Sequence, residues 1–170
     1  MGWLASGNLN NADGDKPVFT GLVGIRGDFE NPILIPAPDR AKALSDITIG
    51  SDRTVYSSDP LGGGVYAKRK EADKLQTFVA PGTFRSPQGL ATSADNTKLY
   101  VSDYRYGIAV VDLETRDVSR LASDIPIILD GVDGLWRFGN ELIAVQNGTS
   151  PMRISAFELS EDGMLSLIHI

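Results

Sequence analysis

The 170-residue sequence has no cysteine and a single histidine, His169. The first absence removes disulfides, thiol nucleophiles and cysteine-ligated zinc. It is compatible with cytoplasm, periplasm or secretion alike, so the compartment stays open. With one histidine, placed next to the last residue, the body of the chain offers no base for a Ser-His-Asp triad. Positive charge is also scarce: 16 Lys and Arg stand against 22 Asp and Glu, a net charge of −6. No basic stripe offsets that deficit, which argues against nucleic acid as a partner. No apolar run is long enough to span a bilayer, and no basic segment followed by an apolar one marks a signal peptide at Met1. Any hydrolysis would have to use carboxylates or metal-activated water.

What is present is a repeat. The stretch Ser86 to Asp112, SPQGLATSADNTKLYVSDYRYGIAVVD, reads as three short antiparallel strands near Leu90–Ser93, Lys98–Ser102 and Gly107–Asp112. Each run is β-branched or aromatic and bounded by turn residues. A similar pattern stands upstream in SDITIGSDRTVYSSDPLGGGVYAKR and downstream in VDGLWRFGNELIAVQNGTSPMRISAFEL. Asp59, Asp103 and Asn147, taken as closing the second strand of each unit, are spaced 44 residues apart. A period in the forties built of short strands predicts β-propeller blades. The fold class is therefore all-β: a partial propeller of antiparallel four-stranded sheets, about four blades of a six-bladed ring.

The expected blades lie near 1–40, 44–80, 86–123 and 132–164, all in one incomplete propeller domain over 1–164. Trp3–Ser6 resembles the end of a second strand, so the first blade is expected to lack its innermost strand and the chain to be a fragment. Residues 7–17 read as a polar loop, Val18–Ile25 as a third strand and Asn31–Ala37 as an outer one. Gly62-Gly63-Gly64 fits a tight crossing between strands; a phosphate cradle would need a following helix. Two sections with some helical flavour, Asp39–Leu44 and Lys68–Lys74, are expected as loop or strand. The last six residues, LSLIHI (165–170), resemble a translated transposase-end adapter used in sequencing libraries, which would make His169 an artefact. Their alternation would equally suit an outer strand.

With SPQGL, LYVSDY.GI and DGL.....LIAVQNG..P.R in view, the chain resembles the regucalcin/gluconolactonase family of the senescence-marker-protein type, in an uncharacterised bacterial branch. The resemblance covers roughly Trp3 to Gly163. It implies a six-bladed propeller with a divalent metal, calcium foremost, at the axial mouth, and hydrolysis of sugar lactones by the members that are enzymes. The family's ligand positions at the entries of innermost strands fall here on Ser45, Gln88 and Asp133. Asp133 keeps the expected ligand type, Gln88 offers an amide oxygen, and Asp46 stands beside Ser45. The family's glutamate ligand would precede Met1.

Blade geometry places strand entries and second-strand ends on one face of the disc. Asp46, Gln88 and Asp133 are thus the candidate metal ligands, with Asp133 also the candidate catalytic residue, and such oxygen donors suit calcium or magnesium. Asp59, Asp103 and Asn147 either join that axial face or bond nearby backbone amides as turn caps. Tyr104 and Tyr106, flanking Arg105, are rim contacts or packing; Trp136 is expected in the core; Arg153 is expected to pair with an acidic residue of a neighbouring blade. Two functions follow. One is metal-assisted hydrolysis of a small sugar lactone or related ester; the other is a non-catalytic propeller that binds a small ligand or partner protein.

Overall fold

The computed structural model describes residues 1–7, 19–123, 125–164 and 166–169. The loop expected over 7–17 lies outside them beyond Gly7, as do Val18, Leu165 and Ile170. Among the described residues there is no helix, and fifteen strands form four antiparallel sheets. The first sheet holds β1 (Gly2–Ser6), β2 (Gly21–Arg26) and β3 (Asp28–Pro36) in order. The second runs β4 (Ile47–Ile49), β5 (Val55–Asp59), β6 (Gly64–Lys68), β7 (Gln76–Val79). The third runs β8 (Pro87–Thr92), β9 (Lys98–Asp103), β10 (Ile108–Asp112), β11 (Val118–Arg120). The fourth holds β12 (Val132–Phe138), β13 (Glu141–Gln146), β14 (Arg153–Leu159) and β15 (Ser166–His169), so that residues 166–169 take the outer-strand place.

Three apolar layers glue consecutive sheets together. Leu22 and Ile35 of the first sheet meet Val55 and Tyr66 of the second. Tyr56 and Val65 then meet Leu99, Val101 and Val111 of the third. Tyr100, Ile108 and Val110 meet Leu135, Leu142 and Phe157 of the fourth. The innermost strands β4, β8 and β12 lie side by side. At the tightest point a side chain on Gly89 would collide with the backbone of Gly134 and Leu135, its Cβ falling 2.3 Å from the Leu135 amide nitrogen. β1 instead leads to the start of β4 through a bridge between Gly7 and Ala43, which puts it in the place of a second strand.

In the second, third and fourth sheets the second strand ends in a buried polar residue that holds the segment leading into its own innermost strand. Asp59 accepts the amides of Lys42 and Ala43 at 2.8 and 3.1 Å, and that of Gly62 at 2.7 Å. Asp103 accepts the amides of Arg85 and Ser86 at 3.0 and 2.8 Å and pairs with Arg120 at 3.1 Å. In the fourth sheet the same place belongs to Gln146. Its amide nitrogen donates to the carbonyls of Ile128 and Asp130, and its oxygen accepts from Arg153 and Ser155. The even period that placed Asn147 in this series is thus corrected by one residue. Arg153, expected to reach an acid on a neighbouring sheet, instead bonds Gln146 within its own. The Gly62–Gly64 run is a turn packed tightly on Asp59 and on the Phe84 carbonyl, with Gly63 at a φ of 71° that a side chain would strain.

Trp136 is not core: it is 56% exposed. Strand alternation gives the reason, because Leu135 and Phe157 take the face against the third sheet and Trp136 takes the other. Register puts Trp136, Phe138, Ile143, Val145 and Ile154 together on that outer face, where Phe138 is 77% and Ile154 74% exposed. An apolar surface of this kind binds hydrophobic dyes and drives association. We expect the 170-residue chain to bind ANS strongly, and Phe138→Ser with Ile154→Thr to cut that binding severalfold without lowering the melting temperature; unchanged dye binding would place the sticky surface elsewhere. Asp59→Ala strands three amides beneath the sheet and should cost about 3 kcal/mol in denaturant unfolding, far more than a surface cap.

Candidate metal and ligand mouth

Each complete sheet has an irregular entry into its innermost strand. In β8 the register slips between Pro87 and Leu90, and in β12 between Val132 and Gly134. The second sheet does the same just before β4. There the Ser45 amide donates to the Ser58 carbonyl while the Ser58 amide donates to the Asp46 carbonyl, so two residues oppose one. Bulges of this kind re-aim a side chain out of the pleat. Register makes Ser45, Gln88 and Asp133 equivalent at the three bulges, and Asp46 stands one position further on, in the place of Gly89 and Gly134.

Asp46 and Asp133 are close enough for their charges to interact. Burial pushes the Asp46 carboxyl above the ordinary carboxylate value, the amides of Ile47 and Leu90 oppose the shift, and the charge of Asp133 adds to it. The Ile47 amide donates to the Asp46 Oδ1 at 2.8 Å. Asp133 is exposed, and its Oδ2 accepts the Asn147 side-chain amide at 2.8 Å. The Asn147 oxygen in turn accepts the Tyr104 hydroxyl at 2.8 Å. This chain across two sheets fixes which oxygen of Asp133 stays available. Tyr104 is therefore an orienting residue that the sequence offered only as rim or packing. Gln88 donates to the Ser86 hydroxyl at 3.0 Å, and that bond leaves its oxygen as an acceptor.

Of the six candidates, Asp46 and Asp133 interact through their charges, Gln88 holds the bulge position equivalent to Asp133 in the sheet between, and Asn147 braces Asp133. Asp59 and Asp103 are buried in the clamps described above and face backbone amides. A carboxyl whose pKa is raised on folding adds stability while protonated and loses it as pH climbs through the raised value. Asp46→Asn should therefore melt higher than the parent at pH 7 in the absence of divalent cations. That advantage should fade as pH falls towards the ordinary value of 3.8; an equal gain at both ends of the range would deny the carboxylate any strain.

No family model and no curated protein matches the sequence. Solved structures do match. A gluconolactonase from Xanthomonas campestris superposes with a TM-score of 0.66 at 20% identity, over 88% of this chain and 55% of that one. The calcium-binding protein regucalcin from Agrobacterium tumefaciens gives 0.62 at 16%, over 95% and 53%. A virginiamycin B lyase from Staphylococcus aureus gives 0.63 at 16%, over 84% and 46%. The chain spans about half the length of these proteins. At such identities the likeness is one of fold: the four sheets carry the β-propeller architecture of the gluconolactonase and regucalcin structures.

Proposed function

We propose that these bulges form part of the mouth of a lactonase-like propeller, acting on a small sugar lactone or related ester with the help of a divalent cation, calcium in the first place. The observation that supports this is that Asp46 and Asp133, from different sheets and each at the irregular entry of an innermost strand, interact through their charges. Like charges held close are unfavourable unless a cation offsets them. The donors are hard oxygens, the type that calcium and magnesium take. Among the described residues no group of three His, Cys, Asp or Glu converges. Asp46, Gln88 and Asp133 offer two carboxylates and an amide oxygen, donors of the kind such a cation takes. When bound, such a cation polarises a carbonyl oxygen and acidifies water.

The protein's own groups supply the rest of the reading. Asn147 and Tyr104 lock one oxygen of Asp133, so that the other can accept a proton from attacking water as general base. Asp46, ionised beside a bound cation, serves as a ligand and not as a proton donor. A fold that also serves a lyase does not choose the reaction by itself, and the residues at the mouth carry that choice.

Calcium should raise the melting temperature of the parent, and Asp133→Ala should abolish that rise. Asp103→Ala should melt lower than the parent yet keep the calcium increment, because its carboxylate is spent on two backbone amides and Arg120. If Asp133→Ala responds to calcium as the parent does, the cation sits elsewhere. The alternative reading, a non-catalytic propeller that binds a small ligand or partner protein, then takes over.

A further inference from the structure

A cleft of about 730 Å³ opens between the first and second sheets. It lies at the opposite end of the strands from the mouth, where the Gly50–Arg53 turn joins β4 to β5. Its apolar walls are Trp3, Ile33, Ile35 and Ile49. Its charged lining is Arg26, Arg53, Lys68, Lys70, Glu71 and Asp73. Lys70 and Glu71 neutralise each other at 3.2 Å. That leaves three cations against Asp73.

Lys68 is the unusual member. It is only 8% exposed, and among the described residues no carboxylate pairs with it. Its ammonium donates to the carbonyls of Arg69 and Lys70 at 3.1 and 3.4 Å and sits 5.2 Å from the centre of the Trp3 ring. Carbonyl dipoles and a ring face ease the burial of a cation without neutralising it. Arg53, with φ at 66°, carries a second cation on the rim, and neither it nor Arg26 is ion-paired among the described residues.

The repeat supplies a control. The equivalent cleft between the second and third sheets, about 690 Å³, has Asp112 where this one has Lys68. Asp112 is engaged by the amides of Glu114 and Thr115 at 2.9 and 2.8 Å, the local economy of a hairpin turn. The architecture therefore does not require a buried cation at this place. Lys68 belongs to the first cleft and not to the repeat.

We propose that this cleft binds an amphipathic carboxylate: a single anionic head held by Lys68 and Arg53, with an apolar body laid along Trp3 and the three isoleucines. A desolvated cation beside an apolar wall favours such a ligand over a bare anion, which would leave the wall wet, and over a neutral amphiphile, which would leave the charge unmet. The site is separate from the axial mouth and does not depend on any reaction there.

The sequence holds two tryptophans, so Trp136→Phe makes Trp3 the sole reporter in the 170-residue chain. Titration with octanoate should change Trp3 emission saturably, octanol should bind at least tenfold more weakly, and inorganic phosphate should leave the emission unchanged. Lys68→Met should weaken octanoate at least tenfold. Arg53→Asn, which suits the left-handed backbone and touches no core, should weaken it severalfold and keeps the test valid if the lysine variant does not fold. Octanol binding as well as octanoate, or octanoate affinity unmoved in Arg53→Asn, would overturn the proposal.

Discussion

Everything in this fold hangs on one recurring contact: the buried polar residue at the end of a second strand, bonded to the segment that leads into the innermost strand. Asp59, Asp103 and Gln146 lie below the surface with their polar atoms saturated. In each case the backbone they hold would otherwise be an irregular segment buried without partners, which is costly. Two solutions are used. A carboxylate accepts from amides in the second and third sheets, whereas in the fourth an amide donates to carbonyls because the lead-in presents the opposite polarity. The clamp fixes where the innermost strand begins, and the bulge just beyond it fixes where Asp46, Gln88 and Asp133 sit. The candidate mouth is thus a by-product of how the sheets are anchored.

That arrangement also explains why polar residues one position apart have such different lives. Gln146 is sealed beneath the sheet, while Asn147, its neighbour, is exposed and holds Asp133. The first serves architecture and the second serves the mouth. Tyr104 follows Asp103 in the same way, stepping from clamp to surface network. A strand end reverses direction at each residue, so adjacent positions can be given to separate tasks.

The sheets were legible in the sequence because short β-branched runs between turn residues recur at a nearly constant interval, and most observed strands fall within a residue or two of those expected. What was not legible was phase. Aligning Asp103 with Asn147 keeps an even spacing, but aligning Leu99 of LYVSD with Leu142 of LIAVQ puts Gln146 opposite Asp103, as the register has it. Trp136 was misread for a related reason: a large aromatic in a strand has two faces available, and only the neighbouring sheet decides which one is covered. That Asp46 and Asp133 should share a face was suggested by blade geometry, yet the Tyr104–Asn147–Asp133 chain was not, since it joins hydroxyl, amide and carboxylate across two sheets.

The clamps also bear on the order in which the chain assembles. Each closes a loop of only 16 to 18 residues, so the entropy of closure is small and no distant segment is needed. A sheet can therefore gather its own strands while the rest of the polypeptide is still emerging from the ribosome. The interlocked apolar layers then add one unit to the next, in the sequence of synthesis.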